Sequence, residues 1–289
     1  MQPDITAPGI DIIAAYSPQA SPSGDPGDKR SLKYNIISGT SMSCPHVAGA
    51  AAYLKTFHPD WSPSAIKSAL MTTGTSLVAS SAVSFLFESY GSNYVCFLVL
   101  TAWPMNATNV YEEGEFAFGA GHINPVKAIE PGLIYEALKE DYIKMLCSIK
   151  ISFFGTCPKG VKGSPKDLNY PSMQALVESD NSFTVEFPRT VTNVGPAGLT
   201  YKAKVNTDSH INVSVKPSTL SFKSSGEKKS FVVTVSGKGL PKQTRVSASI
   251  VWSDGIHNVR SPIVVYTWSL ENFVIVCSFH EVTQTCIGG

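Results

Sequence analysis

The sequence is poor in charge and lacks the spacings that bind metals. Asp, Glu, Lys and Arg make up 16% of its 289 residues, the formal net charge is +1, and no Lys/Arg run is long enough to leave an electrostatic footprint. Nothing therefore points to a nucleic-acid partner. The six cysteines stand at 44, 96, 147, 157, 277 and 286 with no C-x-x-C pair among them, which removes the usual spacing of a zinc or dithiol redox site. They are also too sparse for a scaffold held by disulfides. No apolar stretch approaches the ~20 residues of a membrane-spanning helix; Tyr94 to Leu100 is the apolar centre of its region, and Glu88 interrupts the approach to it. The start, M-Q-P-D-I-T-A-P-G, has neither a basic beginning nor an apolar run, so no secretory signal peptide is read in this chain. The expectation is no metal and no cofactor, with neither nucleic acid nor membrane as a partner.

What is present is a globular composition, 43% hydrophobic, over a length that suits one large domain or two ordinary ones. The informative stretch is Gly39-Thr40-Ser41-Met42-Ser43-Cys44-Pro45-His46-Val47-Ala48-Gly49, continuing through alanines to Phe57. Thr40 reads as a helix N-cap, with Ser41 in the first turn among backbone N–H groups that lack intrahelical partners. Such donors can hold a developing oxyanion, and here they would be the Thr40 and Ser41 amides. Pro45 should free the Ser41 carbonyl. Val47, Ala48, Ala50, Ala51, Ala52 and Leu54 cover nearly every face, which predicts a buried helix. His46 lies five residues on, rotated about 140° from Ser41, and reads as a packed or hydrogen-bonded histidine.

This stretch resembles the nucleophile motif of subtilisin-like serine proteases in their plant-type form. The resemblance extends to P-D-I-T-A-P-G-I-D-I-I-A-A from Pro3, to H-P-D-W-S-P-S-A-I-K-S-A-L-M-T-T from His58, and to F-A-F-G-A-G-H-I-N-P from Phe116. It implies that Ser41 is the nucleophile of a serine endopeptidase acting on peptides or proteins through an acyl-enzyme. In that family the chain order is Asp, His, Ser. The Asp motif, the H-G-T-H motif and the side-chain amide donor of the oxyanion hole are thus expected upstream of Met1. None of the six histidines, at 46, 58, 122, 210, 257 and 280, sits in text like the base motif. His122, in the Gly119-Ala120-Gly121-His122 loop, belongs to text that is structural in the family. The other function class is a non-catalytic fragment or pseudo-protease whose sandwich serves only for interaction.

Between Tyr16 and Leu32 a Ser/Pro/Gly/Asp-rich run reads as a surface loop, and Tyr34 to Ile37 as a short strand feeding the Gly39 turn. Ser62-Pro63 is a strong helix start, and Glu136 to Cys147 is helical by its apolar spacing. Gly74 to about Leu100 interrupts the family resemblance and reads as extraneous sequence. From Asp167 the periodicity becomes two, with short strands between Gly, Pro and Asn, as in an all-β sandwich. T-V-T-N-V-G and V-W-S-D-G-I-H-N-V-R resemble the fibronectin-III-like domain of plant-type subtilases, and Asp254 there reads as a hairpin-turn residue.

The expected architecture is an α/β partial subtilisin-like catalytic domain, its C-terminal portion, followed by an all-β fibronectin-III-like sandwich. Residues 1–146 form the first part, 147–166 a linker, 167–266 the sandwich and 267–289 a tail outside the family. Cys147 and Cys157 would form a disulfide in an exported protein and stay free thiols in a reducing compartment. Asn106 and Asn212 head N-glycosylation sequons. The resemblance implies secretion of a full-length parent to the cell exterior or wall.

Overall fold

The computed structural model describes residues 3–23, 25–74, 114–149, 157 and 163–267, together with the backbone of 276–280 and 283–287. The expected insertion from Gly74 lies almost wholly outside these residues, as do Asn106 and most of the 267–289 tail.

Two antiparallel strands open the chain, β1 (Ile12–Ala15) and β2 (Tyr34–Ile37), paired Ile13 to Ile36. The second leads through Gly39 into α1 (Thr40–Phe57). The helix cap is Gly39 and not Thr40, and no side chain caps it. Gly39 is extended, and its carbonyl already accepts from the amides of Met42 (3.0 Å) and Ser43 (3.4 Å), which moves Thr40 inside the first turn. The helix runs through Pro45, whose ring has no N–H to give the Ser41 carbonyl.

The expectation of a fully buried helix is corrected. Only Ala50 and Leu54 are buried, with Val47 and Ala51 half-buried on the same face. The i, i+3, i+4, i+7 spacing of 47, 50, 51 and 54 makes one stripe. The described residues cover that stripe alone, by packing α1 against α2 (Pro63–Thr72) and against α4 (Pro125–Ile129), a short helix that follows the one-turn α3 (Glu115–Phe118). Ala48, Ala52, Tyr53 and Phe57 stay exposed, as do Ile13, Tyr34 and Ile36 on the strand pair. The small core thus formed comprises Ala7, Ala50, Leu54, Ala65, Ala69, Leu70, Ile123, Ala128 and Ile134. At α2 the sequence expectation holds: Pro63 is the first helical residue and the Ser62 hydroxyl accepts from the Ala65 amide at 3.1 Å.

The sandwich has two sheets. One runs β4 (Met173–Val177), β11 (Asn258–Thr267), β10 (Arg245–Ser253), β6 (Thr200–Thr207) and β8 (Thr219–Ser221). The other runs β3 (Leu133–Tyr135), β5 (Phe183–Asn193), β9 (Lys228–Gly237) and β7 (Ile211–Lys216). All pairs are antiparallel except β4 with β11. Alternate residues point inward, as the burial of Ile211, Val213 and Val215 shows. Between the sheets lie Trp252, Phe187, Phe231, Phe222, Tyr201 and Ile250, each 2% exposed or less.

Residues 183–193 form one unbroken strand, β5, although a proline stands in the middle of the stretch. Pro188 sits within it opposite Val232. The neighbour on the other side, β3, covers only residues 191–193, so the position beside Pro188 needs no ladder donor there. Asp254 is a turn residue as read, its carboxylate accepting from the amides of Ile256 (2.9 Å) and His257 (2.6 Å). Burial raises its pKa, but these bonds and one with the His257 ring at 2.7 Å outweigh that and hold it below the usual carboxylate value. A second antiparallel pair, β12 (Val276–His280) with β13 (Thr283–Ile287), lies in the tail.

The two portions meet through polar clasps. The Tyr170 hydroxyl donates to Asp4 Oδ1 at 2.6 Å, and Lys67 reaches Asp4 Oδ2 at 3.1 Å. Burial and the Asp4 carboxylate raise the Tyr170 pKa far above the phenolic norm, so it remains a donor. Glu115, 5% exposed, accepts from the Ser247 hydroxyl and faces Arg260 at 3.6 Å, while Arg260 also donates to the Ala120 carbonyl at 3.1 Å. Tyr170→Phe removes a donor to a carboxylate, and the expected loss is about 1–2 kcal/mol in urea unfolding. Lys67→Ala should cost less, since Lys67 is 46% exposed. The reverse order would assign the clasp to charge.

Candidate active site

Ser41 is the second residue of α1 and is exposed. Its hydroxyl makes no hydrogen bond among the described residues. Of the first four helical amides, those of Met42 and Ser43 are taken by Gly39, while those of Thr40 and Ser41 have no acceptor among the described residues. The hydroxyl therefore lies next to two open N–H groups at the positive end of an 18-residue helix. That arrangement can hold negative charge on an oxygen beside the serine. Cys44, three residues on and so on nearly the same face, is exposed and is the free cysteine among the described residues.

What aims this turn was not visible in the motif. The segment from Pro3 to Gly9 lies alongside it: the Gly39 amide donates to the Gly9 carbonyl at 2.7 Å, and the Ser43 hydroxyl to the Ala7 carbonyl at 2.9 Å. A Cβ on Gly9 would stand 2.8 Å from the Gly39 carbonyl oxygen, so the approach requires glycine. The Pro8-Gly9 pair was the available signal. The same segment is clamped on its other side by the 119–123 loop. The Thr6 amide donates to Gly121 (2.9 Å), the Ile123 amide to Thr6 (2.8 Å) and the Ala120 amide to Asp4 (2.9 Å). Gly119 and Gly121 thus serve the close approach their sequence suggested. His122 pairs as an isolated bridge with Thr6, and burial pushes its pKa below the ordinary imidazole value.

Among the described residues, no histidine is brought to Ser41. The His46 ring nitrogen Nδ1 lies 2.7 Å from the Met42 carbonyl, and His58 Nε2 lies 2.7 Å from the Ile129 carbonyl. His210 faces Asp208, and His257 faces Asp254. None of the described residues forms a group of three potential metal ligands. No helix among them is long and apolar enough to cross a membrane. Asn212 is exposed on β7. Cys147, at the end of α5 (Lys139–Ser148), is joined to Cys157 by a disulfide with Cα atoms 5.8 Å apart.

An exposed serine thus stands at a helix mouth in a mixed helix-and-strand portion that is joined by clasps to a β-sandwich, and the comparisons say which family has this arrangement of parts. Residues 1–92 match the subtilase family, and residues 167–265 match the fibronectin type-III domain. The subtilisin-like protease SBT4.9 of Arabidopsis thaliana is 49% identical over 285 residues, covering 94% of this chain and 36% of the relative. SBT4.8 and SBT4.6 of the same plant are 50% and 51% identical, each covering 92% of this chain and 35% and 34% of their own lengths. The chain belongs to the subtilase family in its plant type, and it spans about a third of the length of these relatives.

Proposed function

We propose that Ser41 is the nucleophile of a serine-type endopeptidase, attacking a peptide carbonyl to form an acyl-enzyme while the Thr40 and Ser41 amides bear the oxyanion. The observation that carries this is the pair of open amides beside an exposed serine within subtilase-type sequence. Peptides or proteins are the substrate class. The general base, the acid that orients it and the side-chain amide donor are, in this reading, supplied from outside these 289 residues. The engagement of His46, His58, His210 and His257 with partners other than Ser41 supports that.

The consequence is that the chain on its own does not cleave peptides. Without the triad partners only a small residual remains, from oxyanion binding and positioning. Residues 1–289, expressed and incubated with a serine-directed fluorophosphonate, should show no rapid stoichiometric labelling relative to Ser41→Ala. Fast labelling at Ser41 would overturn this and restore a complete site. The alternative, an interaction-type sandwich attached to a non-catalytic portion, draws on the same lack of a base and predicts that no added subtilase portion restores labelling.

Secretion of the parent belongs to this reading. It is supported by the family and by the Cys147–Cys157 disulfide, since such bonds persist in oxidising compartments. The division at 1–146, 147–166, 167–266 and 267–289 is proposed with one amendment from the structure, that β3 lies in the sandwich sheet.

A further inference from the structure

We propose that Asn212 carries an N-linked glycan and that this glycan shields the open edge of the sandwich. The inference rests on the reading that the protein is exported. Asn212-Val213-Ser214 is a complete acceptor sequon with no proline at its centre. It lies on β7, and Asn212 and Ser214 are both exposed, two residues apart and hence on the same outward face, while Val213 between them is buried. Among the described residues the strand pairs with β9 alone, which leaves the sequon backbone open along one side there. Across the ladder Asn212 faces Ser236 and Ser214 faces Thr234; Thr184 and Glu186 come next on β5. These side chains are small or exposed, so a sugar at Asn212 meets no bulky neighbour there.

The edge itself gives the glycan a purpose. An uncovered edge strand offers its free N–H and C=O groups to another chain. Four strands border the two sheets: β3 and β8 have three residues each, β4 has five and β7 has six. The longest is therefore the one bearing the sequon. Its usual guards, a lysine and a proline, come only at its end, as Lys216 and Pro217. Residues 211–215 have neither.

In the transfer, the Asn212 Nδ2 forms a bond to the anomeric carbon of a lipid-linked oligosaccharide diphosphate and loses one proton. The carbon–oxygen bond to the diphosphate breaks, and the lipid diphosphate leaves with the electron pair. Ser214 supplies the hydroxyl that the acceptor motif requires.

The test is to express residues 1–289 behind a cleavable secretory leader in a glycosylating eukaryotic cell, alongside Asn106→Gln, Asn212→Gln and Ser214→Ala. Occupancy is read by glycosidase-sensitive mass and by peptide mapping on both lysate and medium, so that poor release does not hide it. Asn106→Gln should retain one glycan on most molecules, located at Asn212, and both Asn212→Gln and Ser214→Ala should lose it. An Asn212 peptide that stays mostly unmodified overturns the site. Light scattering should then show that Asn212→Gln associates at concentrations where the glycosylated chain is monodisperse; equal behaviour overturns the shielding role. Because the leader is supplied, neither readout depends on where the natural protein resides or on whether Ser41 reacts.

Discussion

Gly119→Ala should destabilise the chain by about 2–5 kcal/mol. Gly119 has φ of +62°, a conformation costing an L-residue about 1–2 kcal/mol. A Cβ there would also stand 2.5 Å from the carbonyl carbon and oxygen of Asp4. Those are backbone atoms and cannot swing aside, so an overpacking cost of about 1–3 kcal/mol is added. The displaced segment is the one whose Ala7 and Gly9 carbonyls hold the turn that carries Ser41. Loss of stability in urea should therefore be accompanied by faster proteolysis around residues 39–43. Gly49→Ala is the matched control. A Cβ at Gly49 meets nothing within 4 Å and the position is helical, so alanine should raise stability by about 0.5–1 kcal/mol. If the two variants behaved alike, the clamp would not be the reason for Gly119.

Trp252→Ala carries the other large effect, an expected loss of about 3–5 kcal/mol. Trp252 is fully buried, opposite Ala203 on β6 and Val259 on β11, with its ring edge-on to Phe231 at 5.0 Å. Its indole N–H has no hydrogen-bond partner among the described residues, so the ring contributes through packed area and little through hydrogen bonding. Domains of this size are stable by only about 5–15 kcal/mol. A clear fall in the denaturant midpoint should follow, with tryptophan fluorescence changing for the mutant baseline. Ile256→Ala, at an 81% exposed turn position four residues on, should shift the midpoint hardly at all. Similar shifts for both would mean the sandwich core is not centred where Trp252 lies.

Where a residue's role is set by its neighbours in sequence, it could be read in advance. Ser62-Pro63 began a helix, Tyr34 to Ile37 formed a strand, and the period-two text after Asp167 became the strands of the sandwich. Where the role is set by distant partners, it could not. The strand β4, M-Q-A-L-V, is made largely of residues that suit a helix as well, and its partner is β11, some ninety residues later, which pairs with it in parallel. The small residues of α1 suggested cover on all sides, yet cover is a property of what packs nearby, and the described residues pack one stripe. The serine was legible because its motif is long and local. The grip of Ala7 and Gly9 on its turn was not, since hydrogen bonds from Gly39 and Ser43 to carbonyls 30 and 36 residues earlier leave no pattern in spacing.

The three residues of β3 settle a practical matter. Leu133 and Tyr135 point into the core between the sheets, Ile134 points into the small core beneath α1 and α2, and the backbone of all three is laddered to β5. The Tyr135 amide is further tied to the Ser68 hydroxyl of α2 at 2.8 Å, and its phenol to Ser261 at 2.8 Å. One tripeptide is therefore shared property of both halves. Anyone transplanting the sandwich as a cassette, or dissecting the chain by its family boundaries, would cut at residue 167 and leave this splice behind. The excised module would then expose the β5 edge and two holes where Leu133 and Tyr135 had been, and a graft that begins before Leu133 is the one expected to stay soluble.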